Sequence, residues 1–249
     1  MQNKYVGDVG DFGKYALLNA LAFSGLRLGI LWYLNEFEES NSDGKFISFD
    51  HLRTLDSQLC EQLNLIRTVK RHLSQIHSGG VLPPDTVFFD KALPRPKRPC
   101  YTSNERDSEQ QRRENWFKDA AKAMSAAQLV FLDPDNGIAP TGLRTHSTRA
   151  CKYAFEYEVK TLVASGRSVI VYQHQNRSGT FEQQVERSML RFADVAKGEF
   201  AITFHAYAVR AYIILPGNST HKELLSNCCT RFLDKGWSRV FRIVGGLRA

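Results

Sequence analysis

The segment FAITFHAYAVRAYIILP, Phe200–Pro216, decides the fold. It holds two apolar runs, Phe200–His205 and Arg210–Leu215, separated by only a few residues. So short a connection leaves no room for a helical crossover, and the two runs are expected to pair antiparallel. Upstream the pattern differs. Apolar runs at Leu28–Leu34, Phe46–Phe49, Thr86–Phe89, Leu129–Leu132 and Ser168–Tyr172 alternate with helical stretches. The helical stretches fall near 11–23, 54–77, 108–126, 148–165, 180–196 and 218–235. Short continuous apolar runs suit strands buried on both faces of a parallel sheet. Their alternation with helices requires right-handed crossovers and yields an α/β three-layer sandwich. The predicted architecture is one domain over residues 1–249, with a mostly parallel sheet ending in a C-terminal antiparallel hairpin.

Bulk composition sets outer bounds. The 249 residues are 43% hydrophobic and 24% charged, which is ordinary for a globular chain. No apolar run approaches the ~20 residues of a membrane span. The start, MQNKYVGD, lacks the apolar core of a signal peptide, so the chain reads as cytoplasmic. A formal net charge of +7 points to a polyanionic partner such as RNA or DNA. The five cysteines form no CxxC pair and read as reduced buried thiols. Pro94–Arg113, PRPKRPCYTSNERDSEQQRR, interrupts the rhythm. It reads as a basic insertion, either solvated or an arm against nucleic-acid phosphates.

Candidate chemistry concentrates at strand ends. In VFLDPDNGI, Val130–Ile138, a strand runs into Asp133, Pro134, Asp135, Asn136 and Gly137. Ligands of open α/β sheets bind outside the carboxyl ends of the strands. Asp133 could accept a hydrogen bond from an exocyclic amine. Alternatively Asp133 and Asp135 could hold Mg²⁺, which prefers carboxylate oxygen and water. The next strand ends in Tyr172, Gln173 and His174. Gln173 could orient a substrate, and His174 could serve as base or ligand. Further strand ends carry Asn35 and Glu36, Asp50, and Asp90. Together these make an electronegative sheet edge suited to a cation. Near the start, YVGDVGDFGKYALLNALA, Tyr5–Ala22, sets Asp8, Asp11 and Lys14 just before a helix. Asp11 reads as the N-cap of that helix and Asp8 as facing a cationic ligand. The C-terminal hairpin carries His205, Tyr207, Arg210 and Tyr212, where aromatics beside arginine can stack bases.

These blocks resemble the class I, Rossmann-like methyltransferases, and among them the 23S rRNA adenine-N6 methyltransferases of the RlmJ type. That family begins with an A-G-N-x-A-D-x-x-K-H pattern. Gly7, Asp11 and Lys14 match it, with Asp8 in place of Asn and Tyr15 in place of His. The family's D-P-P-Y motif falls on Asp133-Pro134-Asp135-Asn136, and its following strand end on Val171-Tyr172-Gln173. Its last strand and proline resemble Ala208–Pro216. The second proline and the base-stacking aromatic of the motif are replaced here by Asp135 and Asn136. The first strand is followed by NEFEESNSDG in place of a glycine-rich loop.

The resemblance implies an S-adenosylmethionine-dependent methyltransferase acting on nucleic acid. Asp133, Asn136, Gln173 and His174 would face the target. Asp8, Asp11, Lys14, Asn35, Asp50 and Asp90 would form the cofactor side. The alternative is a Mg-dependent nuclease or phosphohydrolase using Asp133 and Asp135, with His174 as base. A third reading is a non-catalytic nucleic-acid-binding protein on the same scaffold.

Overall fold

A computed structural model describes residues 2–35, 44, 46–176, 179–196 and 198–245. Nine strands are found among the described residues. They are β1 (Leu28–Trp32), β2 (Val87–Phe89), β3 (Leu129–Asp133), β4 (Gly137–Ile138), β5 (Tyr153–Ala154), β6 (Ser168–His174), β7 (Phe200–Ala206), β8 (Ala208–Leu215) and β9 (Phe241–Val244). The α-helices are α1 (Val9–Ala22), α2 (Ser57–Val69), α3 (Ser74–Ser78), α4 (Ser103–Ala123), α5 (Glu156–Ala164), α6 (Phe181–Leu190) and α7 (Ser219–Asp234). Seven strands form one sheet in the order β2-β1-β3-β6-β8-β7-β9. The first four run parallel, and β8, β7 and β9 continue the sheet antiparallel.

The pleat sorts the strand residues between two cores. In β3, Leu129 and Phe131 join one apolar cluster while Val130 and Leu132 join the other. Tyr212 and Ile214 of β8 likewise oppose Ala211, Ile213 and Leu215. A period of two explains the split, because successive side chains leave opposite faces. One cluster packs under α1, α2 and α7, and the other under α4, α5 and α6. All of β1 and β3 is buried, as continuous apolar runs require. The observed architecture is the expected Rossmann-like three-layer sandwich.

Two local expectations are corrected, and one strand is added that the sequence reading did not name. Phe46–Phe49 forms no strand and pairs with none of the sheet's strands. The segment serves α1 instead. The Phe46 carbonyl accepts the Val9 N–H at 2.9 Å, and Phe49 stacks on Phe12 at 4.9 Å. That backbone bond satisfies one of the orphan donors of the helix start. The basic segment near 94–113 is half helix, since α4 begins at Ser103 behind a Thr102/Glu105 capping box. Its Arg113 is buried against Glu158 at 2.7 Å, so that cation is structural. Finally, β9 lies at the edge of the sheet, where Phe241 is buried and Arg242 exposed. Its four residues gain strand character only from pairing with β7.

Candidate functional site

Chain connections diverge between β1 and β3. From β1 the chain passes to β2 on one side, and from β3 to β6 on the other. Such a switch point opens a crevice at the carboxyl ends of the strands. Trp32 and Asp133 are register partners at those ends. A cavity of about 440 Å³ lies there, bounded by the start of α1, the Asp133–Asn136 turn, the end of β6 and Arg210 of β8.

The start of α1 supplies the buried charges. Asp8, rather than Asp11, is the N-cap, with its Oδ1 accepting the Asp11 N–H at 2.9 Å. An N-cap side chain accepts from an N–H two or three residues on, and Asp8 precedes the Asp11 donor by three. Asp11 sits in the first turn, where its Oδ2 accepts the Gly7 N–H at 2.9 Å. Its Oδ1 lies 2.8 Å from Lys14 Nζ. Lys14 Nζ also donates to Asp133 Oδ2 at 2.9 Å, tying the helix to the end of β3. The ammonium lies 5.0 Å from the Tyr15 ring centre and 5.4 Å from that of Trp32. Gly10 admits Arg210 against the helix, since a Cβ there would lie 2.5 Å from its guanidinium carbon. Arg210 Nη2 is 3.9 Å from Asp8 Oδ2.

Burial dominates the electrostatics. It pushes the Asp8 carboxyl up to about 6, aided by the neighbouring Asp11 charge and opposed by Arg210. Asp133 is also raised by burial, against the pull of Lys14. For Lys14 burial works against the charged form, but Asp11 and Asp133 outweigh it and hold the ammonium well above its ordinary value. Burial pushes Tyr172 up to about 12, so it remains a neutral phenol. Among the described residues, four carboxylates, Asp8, Asp11, Asp133 and Asp135, line the cavity with two cations, Lys14 and Arg210. The excess of acid favours a ligand carrying positive charge.

The Asp133–Asn136 turn is braced from several sides. Asp135 Oδ2 accepts the side-chain amides of Gln2 and Asn35, each at 2.9 Å. Burial opposes its ionisation, yet the Gln2 bond and the Lys152 charge help bring its carboxyl below the ordinary range. Asp135 therefore organises loops rather than presenting both oxygens to a ligand. Gln173 is likewise occupied. Its Oε1 accepts the Ile138 N–H at 2.9 Å, and its Nε2 donates to the His174 carbonyl at 3.0 Å. Gly137, at φ +107°, leaves room for that amide, because a Cβ would lie 2.4 Å from Gln173 Oε1.

Of the residues singled out in the sequence, Asp8, Asp11, Lys14, Asp133, Asp135, Asn136 and His174 line the cavity. Asn35 touches it through Asp135. Asp50 and Asp90 do not line it, and Asp90 faces His77 at 4.0 Å. Glu36 and the acidic loop through Asp43 lie outside the described residues. His174 is exposed and meets the Tyr172 hydroxyl at 3.3 Å. Among the described residues, no group of three or more His, Cys, Asp or Glu is placed to hold a metal ion.

Three contributors were not placed at this site from the sequence. Phe46 lines the mouth and stacks on Tyr207 at 5.2 Å. Tyr207 is 59% exposed and sits at φ 62° at the hairpin tip. A bulky residue in that region is strained by roughly 1–2 kcal/mol. The visible signal was a tyrosine in a turn position that glycine would fill more easily. Arg210 was legible only as an arginine beside aromatics.

No family model matches the chain, and no curated protein matches it. Among solved structures it is similar to a Legionella pneumophila str. Philadelphia 1 protein of family DUF519. The two are 12% identical, the match covers 97% of this chain and 98% of that one, and the TM-score is 0.48. Among the described residues no helix is long and apolar enough to cross a membrane.

Proposed function

We propose that the switch-point cavity binds S-adenosylmethionine and that the chain transfers its methyl group to a nitrogen of a nucleic-acid base. The observation that carries this reading is the buried acidic cluster at the carboxyl edge of the parallel strands. Among the described residues, its four carboxylates outnumber Lys14 and Arg210, which supports a ligand carrying a sulfonium and an ammonium. The cofactor supplies an activated methyl group. The chain supplies position and charge, which is most of what such a transfer needs.

Each residue then has a defined duty. Asp8 and Asp11 place negative charge beside the cationic ligand. Lys14 holds the Asp133 carboxylate in one orientation. Asp133 orients the acceptor by accepting its N–H, which turns the nitrogen lone pair toward the methyl carbon. Asn136 stands beside it on the same cavity wall. Phe46, stacked on Tyr207, offers the aromatic surface at the mouth that Asn136 cannot provide. Base–aromatic stacking holds a planar target whatever its sequence context.

Calorimetry of the wild-type chain with S-adenosylmethionine, with and without Mg²⁺, tests the reading. A parallel assay follows labelled methyl transfer onto RNA and DNA. The expected result is micromolar binding that Mg²⁺ leaves unchanged, weakened about tenfold by Asp8→Asn. A chain that binds no S-adenosylmethionine refutes the proposal.

A further inference from the structure

A second and larger cavity, of about 990 Å³, lies between α4, α5 and the loop at 143–146. Its wall is aromatic. Phe117 and Tyr157 meet edge to face at 5.9 Å, and Phe155 lies 6.3 Å from Tyr157. Phe155 is braced from behind by the Arg113 guanidinium, 4.4 Å from its ring centre. Arg113 is itself fixed by Glu158 and by the Ala150 and Tyr153 carbonyls. Phe117 and Phe155 are largely buried, whereas Tyr157 is 38% exposed, with its hydroxyl donating to Glu158 Oε1 at 3.2 Å.

The rim is cationic. Arg106, Lys118 and Arg144 are exposed and line the cavity with one carboxylate, Glu114, which accepts the Gln110 amide. Among the described residues, none of the three cations forms an ion pair or a side-chain hydrogen bond. Neighbouring arginines behave otherwise, since Arg98 pairs with Glu105 and Arg112 with Glu109. Rigid aromatic rings below unneutralised cations match a nucleotide unit, with its planar base and its phosphate.

The cavity is also wired to the switch-point site. Asn136 N–H donates to the Lys152 carbonyl at 2.9 Å, and β4 pairs with β5. Residues 152–155 thus run from the Asp133–Asn136 turn directly into the aromatic wall.

We propose that this second cavity binds a single-stranded segment of the nucleic-acid substrate, with one base against Tyr157 and Phe155 and its phosphates on Arg106, Lys118 and Arg144. The proposal rests on the nucleic-acid reading of the switch-point site, and goes beyond it by naming the surface that grips the flanking strand.

Fluorescence anisotropy with labelled single-stranded 12-mer RNA and DNA tests it, across a salt series. The variants are Tyr157→Ala and the triple Arg106→Gln/Lys118→Gln/Arg144→Gln. S-adenosylmethionine affinity and thermal melting are measured alongside as controls for folding. Expected are a roughly tenfold weaker oligonucleotide affinity for Tyr157→Ala and, for the triple variant, a salt slope smaller by about 0.7 per lost phosphate contact. Folded variants that bind the oligonucleotides like wild type overturn the proposal and leave the methyl-transfer reading intact. Wild type that binds neither oligonucleotide also overturns it. Loss of oligonucleotide binding in the variants, in a chain that binds no S-adenosylmethionine, would support the cavity and refute the enzyme.

Discussion

Asp8→Asn separates the structural and functional duties of one side chain. Asp8 is 5% exposed, and its carboxyl is raised from 3.8 to about 6 by burial and by Asp11. One pKa unit corresponds to 1.36 kcal/mol, so ionised Asp8 costs the fold about 3 kcal/mol. The sign follows from the direction of the shift. A group raised in the folded state stabilises fully below its unfolded value near 3.8. That contribution is lost as pH rises through the folded value near 6. Asparagine keeps the capping oxygen for the Asp11 N–H and carries no charge to bury. The distant Arg210 contact is already included in the net shift, so its loss adds little. Denaturant unfolding of both proteins from pH 4 to 8 reads the effect. The variant should match wild type near pH 4 and exceed it by about 3 kcal/mol at pH 7.5. A stability difference that stays flat across this range would refute the reasoning. A gain in stability coupled to weaker S-adenosylmethionine binding would mark Asp8 as a charge kept for its ligand.

Lys14→Met leaves Asp11 and Asp133 buried without their shared cation, and chemical denaturation should show a loss of about 3–5 kcal/mol. Arg113→Met strands Glu158 in the same way, at a similar cost. The double replacement Arg113→Met/Glu158→Leu should recover most of that loss, which a double-mutant cycle measures. Gln173→Leu removes the acceptor of the buried Ile138 N–H. It should lower stability by about 1–3 kcal/mol in the same assay. If Gln173 acted only on substrate, its replacement would leave stability unchanged.

Much of the architecture was legible because burial on both faces writes itself locally. LVFL at Leu129–Leu132 and SVIV at Ser168–Val171 have no polar alternation, and both are central parallel strands. The seven-residue β7 and eight-residue β8 announced their antiparallel pairing by the shortness of their connection. Phe46–Phe49 looked equally apolar and is no strand. Its residues serve α1 instead, through the Phe46 carbonyl on the Val9 N–H and the Phe49 ring on Phe12.

The site divides in the same manner. The sequence by itself determined that acids and amides would gather at strand ends, since strand, turn and residue type are adjacent in the chain. It also placed Asp133, Asn136 and Lys14 among the residues of interest. Only the tertiary structure decided their roles. Lys14 reaches Asp133 across 119 positions, and Asp135 meets Gln2 across 133. Such pairings depend on how α1 sits over the ends of β1 and β3, which no local pattern encodes. Asp8 rather than Asp11 caps α1 for a smaller reason: where the helix starts decides which carboxylate caps the backbone and which turns inward to the lysine.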